Sequence, residues 1–305
     1  VKVLITGATG LVGKEVVKVL HTKGIAIHFL TTTPSKVTST TNTKGFYWNP
    51  KTGEIDENCL LGVDAIIHLA GATIAKRWTT AYKEEIVESR VLSSNLLFQT
   101  LKNHPNQVKQ IVSASAIGIY PSNLTDSYTE EFTNYEDTFL SNVVVKWEES
   151  VNQFSRLNLN VCKLRIGLVL STKGGALPSI LKPLRFGFGS VFGSGKQWQS
   201  WIHIKDLARL FVFSVENNWN GVFNAVAPSP VTHREFMFAL AREMKKPLFF
   251  PNTPKFIMNL ILGEMHVLLF DSQKVSSQKV QKSEFQFHFS QIESAFSNLL
   301  RRKKK

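Results

Sequence analysis

Short, continuously apolar runs alternate with longer stretches of helical periodicity through the first two-thirds of the chain. Residues 3–5, 26–30, 65–69, 110–113 and 161–166 are the strand candidates. Runs without a polar alternate suit strands covered on both faces, as in a parallel sheet. Between them, residues 11–23, 80–102 and 137–157 read as helices, the last carrying Phe139, Val143, Trp147 and Val151 at helical spacing. A late apolar run at 221–226 returns to the same sheet. This alternation predicts an α/β fold with a Rossmann-type, doubly wound parallel sheet.

After about residue 227 the pattern changes. Helical periodicity dominates at 234–244, 255–270 and 291–300, punctuated by Pro228, Pro230, Pro251 and Pro254. The expected organisation is a dinucleotide-binding domain over 1–227 and a smaller, mainly helical C-terminal lobe over 228–305 on the substrate side. An excursion at about 167–197 contributes to that lobe. The most apolar stretch, 256–270, is interrupted by Asn259, Gly263, Glu264 and His266. It is too short and too polar to span a bilayer and reads as a buried helix pair.

The first strand runs directly into Thr6-Gly7-Ala8-Thr9-Gly10-Leu11-Val12-Gly13, a G-x-x-G-x-x-G pattern that opens a helix. Each glycine has a separate reason. Gly7 permits a tight turn, Gly10 lets the backbone approach a pyrophosphate, and Gly13 lets the helix pack close on the sheet. An anion at the helix N-terminus meets free N–H groups and the positive end of the dipole. Gly7, Thr9, Gly10, Leu11, Val12 and Gly13 are therefore candidate cofactor-binding positions. The second strand ends in Thr31-Thr32-Thr33-Pro34-Ser35-Lys36, with no Asp or Glu to hold ribose hydroxyls. Thr31, Thr32 and Lys36 can instead accept a 2′-phosphate, so NADP(H) is favoured over NAD(H).

Composition changes the picture little. Hydrophobic residues make up 43% and charged residues 19%, which excludes a disordered or fibrous chain. Cys59 and Cys162 are far apart without metal-ligand spacing, so a reducing compartment and no metal site are expected. Of the net charge of +13, five charges come from the tail at 301–305, which reads as a solvated end. No aromatic residues alternate with those basic ones, so no nucleic-acid partner is expected. No secretory pattern precedes the first strand, so a cytoplasmic location without a membrane partner is the expectation.

The glycine loop is one of many ordered blocks. Others are Tyr47-Trp48-Asn49-Pro50, Asp64-Ala65-Ile66-Ile67-His68-Leu69-Ala70-Gly71, Arg77-Trp78, Glu88-Ser89-Arg90-Val91 and Ser113-Ala114-Ser115-Ala116-Ile117-Gly118. Later come Leu164-Arg165-Ile166-Gly167-Leu168-Val169-Leu170, Gly174-Gly175-Ala176-Leu177, Trp201-Ile202-His203-Ile204-Lys205-Asp206, Leu262-Gly263-Glu264-Met265 and Gln273-Lys274-Val275. Together they resemble the extended, epimerase-like branch of the short-chain dehydrogenase/reductase superfamily. More narrowly, they resemble its NAD-dependent epimerase/dehydratase-like group with an additional C-terminal domain of unknown function. The resemblance implies that Leu69, Ala70 and Gly71 lie along the adenine-side ribose and diphosphate. It places Ser113, Ser115 and Gly167 by the nicotinamide, and makes His203 and Asp206 a tie between substrate lobe and sheet. It also suggests a homodimer through the helices at 80–102 and 137–157.

One part of that resemblance fails. The superfamily's Tyr-x-x-x-Lys, a proton donor with the lysine that lowers its pKa, is replaced in the expected helix. With Glu148 fixing the register, Leu140 stands for the tyrosine and Val144 for the lysine. Tyr47 and Lys51 match the spacing, but in a Pro/Gly-containing loop. An enzyme acting on a small polar substrate would then need another acid/base set, for which Ser115, Arg90 and Tyr120 are the candidates. The alternative is a non-catalytic NADP(H)-binding sensor or scaffold.

Overall fold

The computed structural model describes residues 1–249 and 251–301; the tail from 302 onward lies outside them. Among these, seven long strands form one parallel sheet: β1 (Lys2–Thr6), β2 (Ala26–Thr31), β3 (Thr43–Asn49), β4 (Ala65–His68), β5 (Gln110–Ala116), β6 (Asn160–Ile166) and β7 (Gly221–Ala225). Their order across the sheet is β3-β2-β1-β4-β5-β6-β7. From β1 the chain moves outward to β2 and β3, then crosses back to β4 on the other side of β1. That reversal opens a crevice at the C-terminal ends of β1 and β4, where open α/β sheets receive ligands. Helix α1 (Leu11–Thr22) packs with a later helix at Ile204–Glu216, and α2 (Thr80–Asn103) packs with α3 (Phe139–Asn152).

The runs that predict strands are buried: Val3, Leu4 and Ile5 of β1 and all four residues of β4. The apolar pattern does not predict β3. Its first two residues are not buried, and Gly45 interrupts it because a Cβ there would lie 2.5 Å from the Phe29 ring. Tyr47 of the spurious Tyr-x-x-x-Lys match therefore lies in a strand, not in a loop. Two of the longer helices also escape the pattern, α4 (Leu177–Arg185) and α5 (Ile204–Glu216). The second buries Leu207, Ala208, Leu210, Phe211 and Val212 and turns Lys205, Arg209 and Glu216 outward, an amphipathic helix that the sequence expectation lacks.

The second lobe joins α4 to α6 (His233–Glu243) and to the last helix (Ile292–Leu300). Leu181, Leu184, Trp201, Phe236, Leu240 and Phe296 share its core. A reciprocal capping box between Thr232 and Glu235 fixes the start of α6.

The apolar stretch at 256–270 departs from expectation. It is a helix pair, α7 (Lys255–Leu262) and α8 (Val267–Phe270), broken at Gly263, whose φ of +59° suits glycine. The pair is not buried, however. Met265, Val267 and Leu268 pack against Trp78, Ile86 and Val143, while α7 has no buried residue. The hairpin's apolar packing comes from its second half, and its start is tied down by Thr253, which pairs with Val191 and Gly193.

Beyond it the chain returns to the first core. Val280, in α9 (Gln278–Lys282), and Phe285 are buried in the core beneath the sheet. The Asp206 carboxylate accepts the N–H groups of His288 (3.1 Å) and Phe289 (2.8 Å), and the His203 ring stacks on Phe289 at 3.8 Å. The helix at Ile292–Leu300, α10, then closes the second core.

Candidate cofactor and active site

The glycine-loop end of the crevice is made of backbone. Gly7 turns the chain out of β1 at φ +69°, and a Cβ there would meet the Leu69 carbonyl oxygen at 2.8 Å. Gly13 would place its Cβ 2.2 Å from the Gly7 oxygen and 2.7 Å from the Ala8 Cα. It thus lets α1 pack against its own loop, rather than against the sheet as expected. Gly10 differs from both. Its Cβ would meet only the Gly7 oxygen, at 3.1 Å, so its other side is open. No side chain caps α1 and no acid stands in its first turn. The N–H groups of Leu11, Val12 and Gly13, which an α-helix leaves unpaired, are available to an anion. Thr9 is exposed at the loop tip.

A buried hydrogen-bond chain fixes the geometry between β1 and β4. The Thr6 Oγ1 accepts the N–H groups of Leu69 and Ala70, both at 3.0 Å, so its own proton goes to His68 Nδ1 at 2.8 Å. His68 Nε2 then carries hydrogen toward Ser94 (3.2 Å), whose hydroxyl donates to the Arg90 carbonyl (2.9 Å). A single tautomer satisfies every group. Burial holds His68 neutral, its pKa drawn down to about 4. The chain ties the loop after β4 to β1 and, through α2, to Arg90.

Gly71 follows. A Cβ on it would lie 3.3 Å from the Arg90 Cζ, so the guanidinium lies against bare backbone. Arg90 donates to the Ile86 carbonyl (2.7 Å) and the Ala72 carbonyl (3.2 Å), and its Cζ sits 4.9 Å from the centre of the Trp147 ring. Its Nε is buried with no partner, and among the described residues no carboxylate pairs with it. Burial lowers its pKa to about 10. At the end of β2, Thr31 is buried and accepts the Thr33 N–H at 3.2 Å, while Thr32 and Lys36 are exposed. Across the crevice, Gly174 and Gly175 lie over Leu11. Gly167 is forced by crowding, since a Cβ there would sit 2.1 Å from the Ser200 oxygen.

The other end of the crevice is made of side chains. Leu140 lies against Gly118, after β5, and in the same cluster as Trp78, Met265 and Leu268. Val144 is buried with Ile119, Tyr120, Val226 and Val275. Ser113 is fully buried and its hydroxyl donates to the Ala114 carbonyl. The strand continues to Ala116, so Ser113 is internal to it. Ser115 donates to Glu148 Oε1 at 2.6 Å. Glu148 is also gripped by Arg165 (2.8 and 3.0 Å) and approached by Lys163 at 3.6 Å. Burial pushes the Glu148 carboxyl up, but these cations hold it below its ordinary range. Arg165 donates onward to Tyr120 (2.9 Å) and Tyr135 (2.9 Å), and Tyr120 donates to Asn224 (2.8 Å). Burial drives the Tyr120 phenol up to about 12.

Ser115 and Tyr120 are therefore joined through Glu148 and Arg165, while Arg90 stands apart beside Gly71. Thr6, His68, Glu148 and Arg165 were not among the sequence candidates. A signal existed for them, because each is polar within a run or stripe that otherwise reads as core.

The pattern of the NAD dependent epimerase/dehydratase family matches residues 3–225. The chain belongs to that family. Residues 253–299 match a Domain of unknown function (DUF1731), as the C-terminal resemblance implied. The epimerase family protein SA0724 of Staphylococcus aureus (strain N315) is 38% identical over 303 residues, covering 98% of each chain. The crystal structure of human epimerase family protein SDR39U1 (isoform 2), solved with NADPH, is 28% identical. It superposes with a TM-score of 0.84 over 98% of this chain and 99% of that one. UDP-N-acetylglucosamine 4-epimerase from Bacillus cereus shares the fold, with a TM-score of 0.76 at 19% identity over 98% of this chain and 97% of that one.

Proposed function

We propose that the protein is an NADP(H)-dependent epimerase or oxidoreductase for a small polar substrate, working without a tyrosine–lysine relay. The observation that carries this is the combination at Gly10 and Gly71. One glycine has an open face at an uncapped helix N-terminus, and the other lies against an arginine without an acid partner. Gly7, Thr9, Gly10, Leu11, Val12 and Gly13 would hold the pyrophosphate, with Leu69, Ala70 and Gly71 along the ribose and Arg90 adding charge. Thr31, Thr32 and Lys36 would take the 2′-phosphate, which the NADPH in the human relative supports. Ser113 and Gly167 would border the nicotinamide. The bound cofactor supplies hydride exchange.

For the proton, Ser115 is the best placed of the candidates, because an ionised carboxylate already accepts its hydrogen. Tyr120, with both oxygen contacts engaged and its pKa raised, serves to position Arg165 and Glu148. Arg90 would stabilise negative charge at the crevice. With any substrate that consumes NADPH, Ser115→Ala should lower turnover by roughly 100-fold at unchanged cofactor affinity. Full turnover in Ser115→Ala, Arg90→Ala and Tyr120→Phe alike would reject this assignment. A sensor without turnover is the second reading, favoured by the apolar Leu140 and Val144. It gains ground if Leu140→Tyr with Val144→Lys creates activity toward simple carbonyls.

A further inference from the structure

Helix α7 leaves its apolar residues in solvent, which a water-facing helix has no reason to do. Phe256 is 72% exposed and Leu260 84%, and Ile261 is exposed beside them. Two other segments bring exposed phenylalanines to the same region. Phe186 follows α4, and Phe249 follows α6. The segments are joined by contacts. A Cβ on Gly189 would lie within 3 Å of both Leu184 and Leu248. Thr253 donates its N–H to Val191 and its carbonyl accepts from Gly193, two residues before α7 begins.

Within these segments the charges have one sign, and from outside them Asp271 feels Lys255. Lys182 and Arg185 precede Phe186, Lys245 and Lys246 precede Phe249, and Lys255 adjoins Phe256. Across residues 182–188 and 245–261 there is no Asp or Glu. All five cations are exposed, and none takes part in an ion pair among the described residues. Scattered exposed apolar residues are ordinary, but a cluster interleaved with unpaired cations is not. Apolar and aromatic side chains on a short helix, rimmed by Lys and Arg, match the chemistry of a bilayer interface, with acyl chains below and anionic headgroups above. No described helix is long and apolar enough to cross a membrane, so the element lies on the surface rather than spanning it.

We propose that α7, with Phe186 and Phe249, is a docking face for an anionic lipid bilayer. This departs from the sequence expectation of no membrane partner. Because α7 continues through Gly263 into Met265, Val267 and Leu268, which pack near Leu140, the docked face adjoins the crevice.

The test is co-sedimentation of the full chain with vesicles of phosphatidylcholine, with or without phosphatidylglycerol, at low and high salt. Binding is expected only with phosphatidylglycerol, weakening with salt as exposed charge pairs are screened. Leu260→Asp and, separately, Lys245→Glu with Lys246→Glu should each lower the bound fraction about tenfold or more. All these positions are exposed, and an unchanged thermal transition would show that the variants fold. A variant with residues 301–305 changed to glutamine should still bind. No binding to phosphatidylglycerol vesicles overturns the proposal. So does binding lost with the tail but kept by Leu260→Asp, or a self-association abolished by Leu260→Asp without vesicle binding, which would assign the face to a second copy.

Discussion

The two ends of the crevice are built from different materials. At the glycine-loop end the available groups are main-chain N–H groups and the room left by three glycines, one turning, one open and one packed. At the α3 end the working parts of a superfamily enzyme would be side chains, and here they are Leu140 and Val144 amid apolar neighbours. The polar groups nearby gather instead in the Ser115–Glu148–Arg165–Tyr120 network, which links α3 through Glu148 to β5 and β6. A site made of backbone survives so long as nothing fills it. A site made of side chains is only as durable as each residue, and its functional groups can be replaced while the fold stays intact.

The largest expected effect is at the α3 end. Glu148→Ala would strand Arg165 and Lys163 in a buried setting, and breaking such a pair costs about 3–5 kcal/mol of stability. Urea unfolding at neutral pH would measure it. The sign with pH follows from the lowered carboxyl pKa. The contribution of Glu148 is fully present above its ordinary 4.5 and is lost as pH falls through its lower folded value. The wild type should therefore lose stability faster than Glu148→Ala on acidification below about pH 4.5. An unchanged urea midpoint in Glu148→Ala would show that the network is not a stabilising unit.

At the glycine-loop end, the side chain in Gly10→Val would press on the Gly7 oxygen alone and fill the face left open for a pyrophosphate. An unchanged thermal transition would show that the variant folds. It should weaken NADPH and NADH alike by roughly 100-fold, the equivalent of about two charge-assisted hydrogen bonds. Calorimetric titration is the check, and normal binding would mean that the loop holds no pyrophosphate. Lys36→Ala should have the smallest effect, weakening NADPH about tenfold and leaving NADH unchanged, because only the former presents a phosphate to it. Equal losses for both cofactors would separate Lys36 from the 2′ position.

Much of the sheet was legible because burial on both faces forces continuous apolar runs, as in β1, β4 and β6. The strand β3 was not, since it lies near the sheet's edge and spends Gly45 on making room for Phe29. Helix α5 was legible in principle, since Lys205, Arg209 and Glu216 mark an outward face opposite Leu207, Leu210 and Phe211, but the expectation there ended with the His203–Asp206 block that opens it. In the site, the glycines announced themselves through spacing. Glu148 served only as a register mark, because nothing in a linear pattern shows that Arg165, seventeen positions later, lies opposite it. The exposure of α7 was equally invisible, since an apolar helix reads as core until its neighbours are known.

Val280 and Phe285 sit in the core under the sheet although all seven of its long strands precede them in sequence. During synthesis the strands emerge first, yet the packing beneath them stays incomplete until Phe285 has followed. A chain cut short before Val280 would leave that interior unfilled.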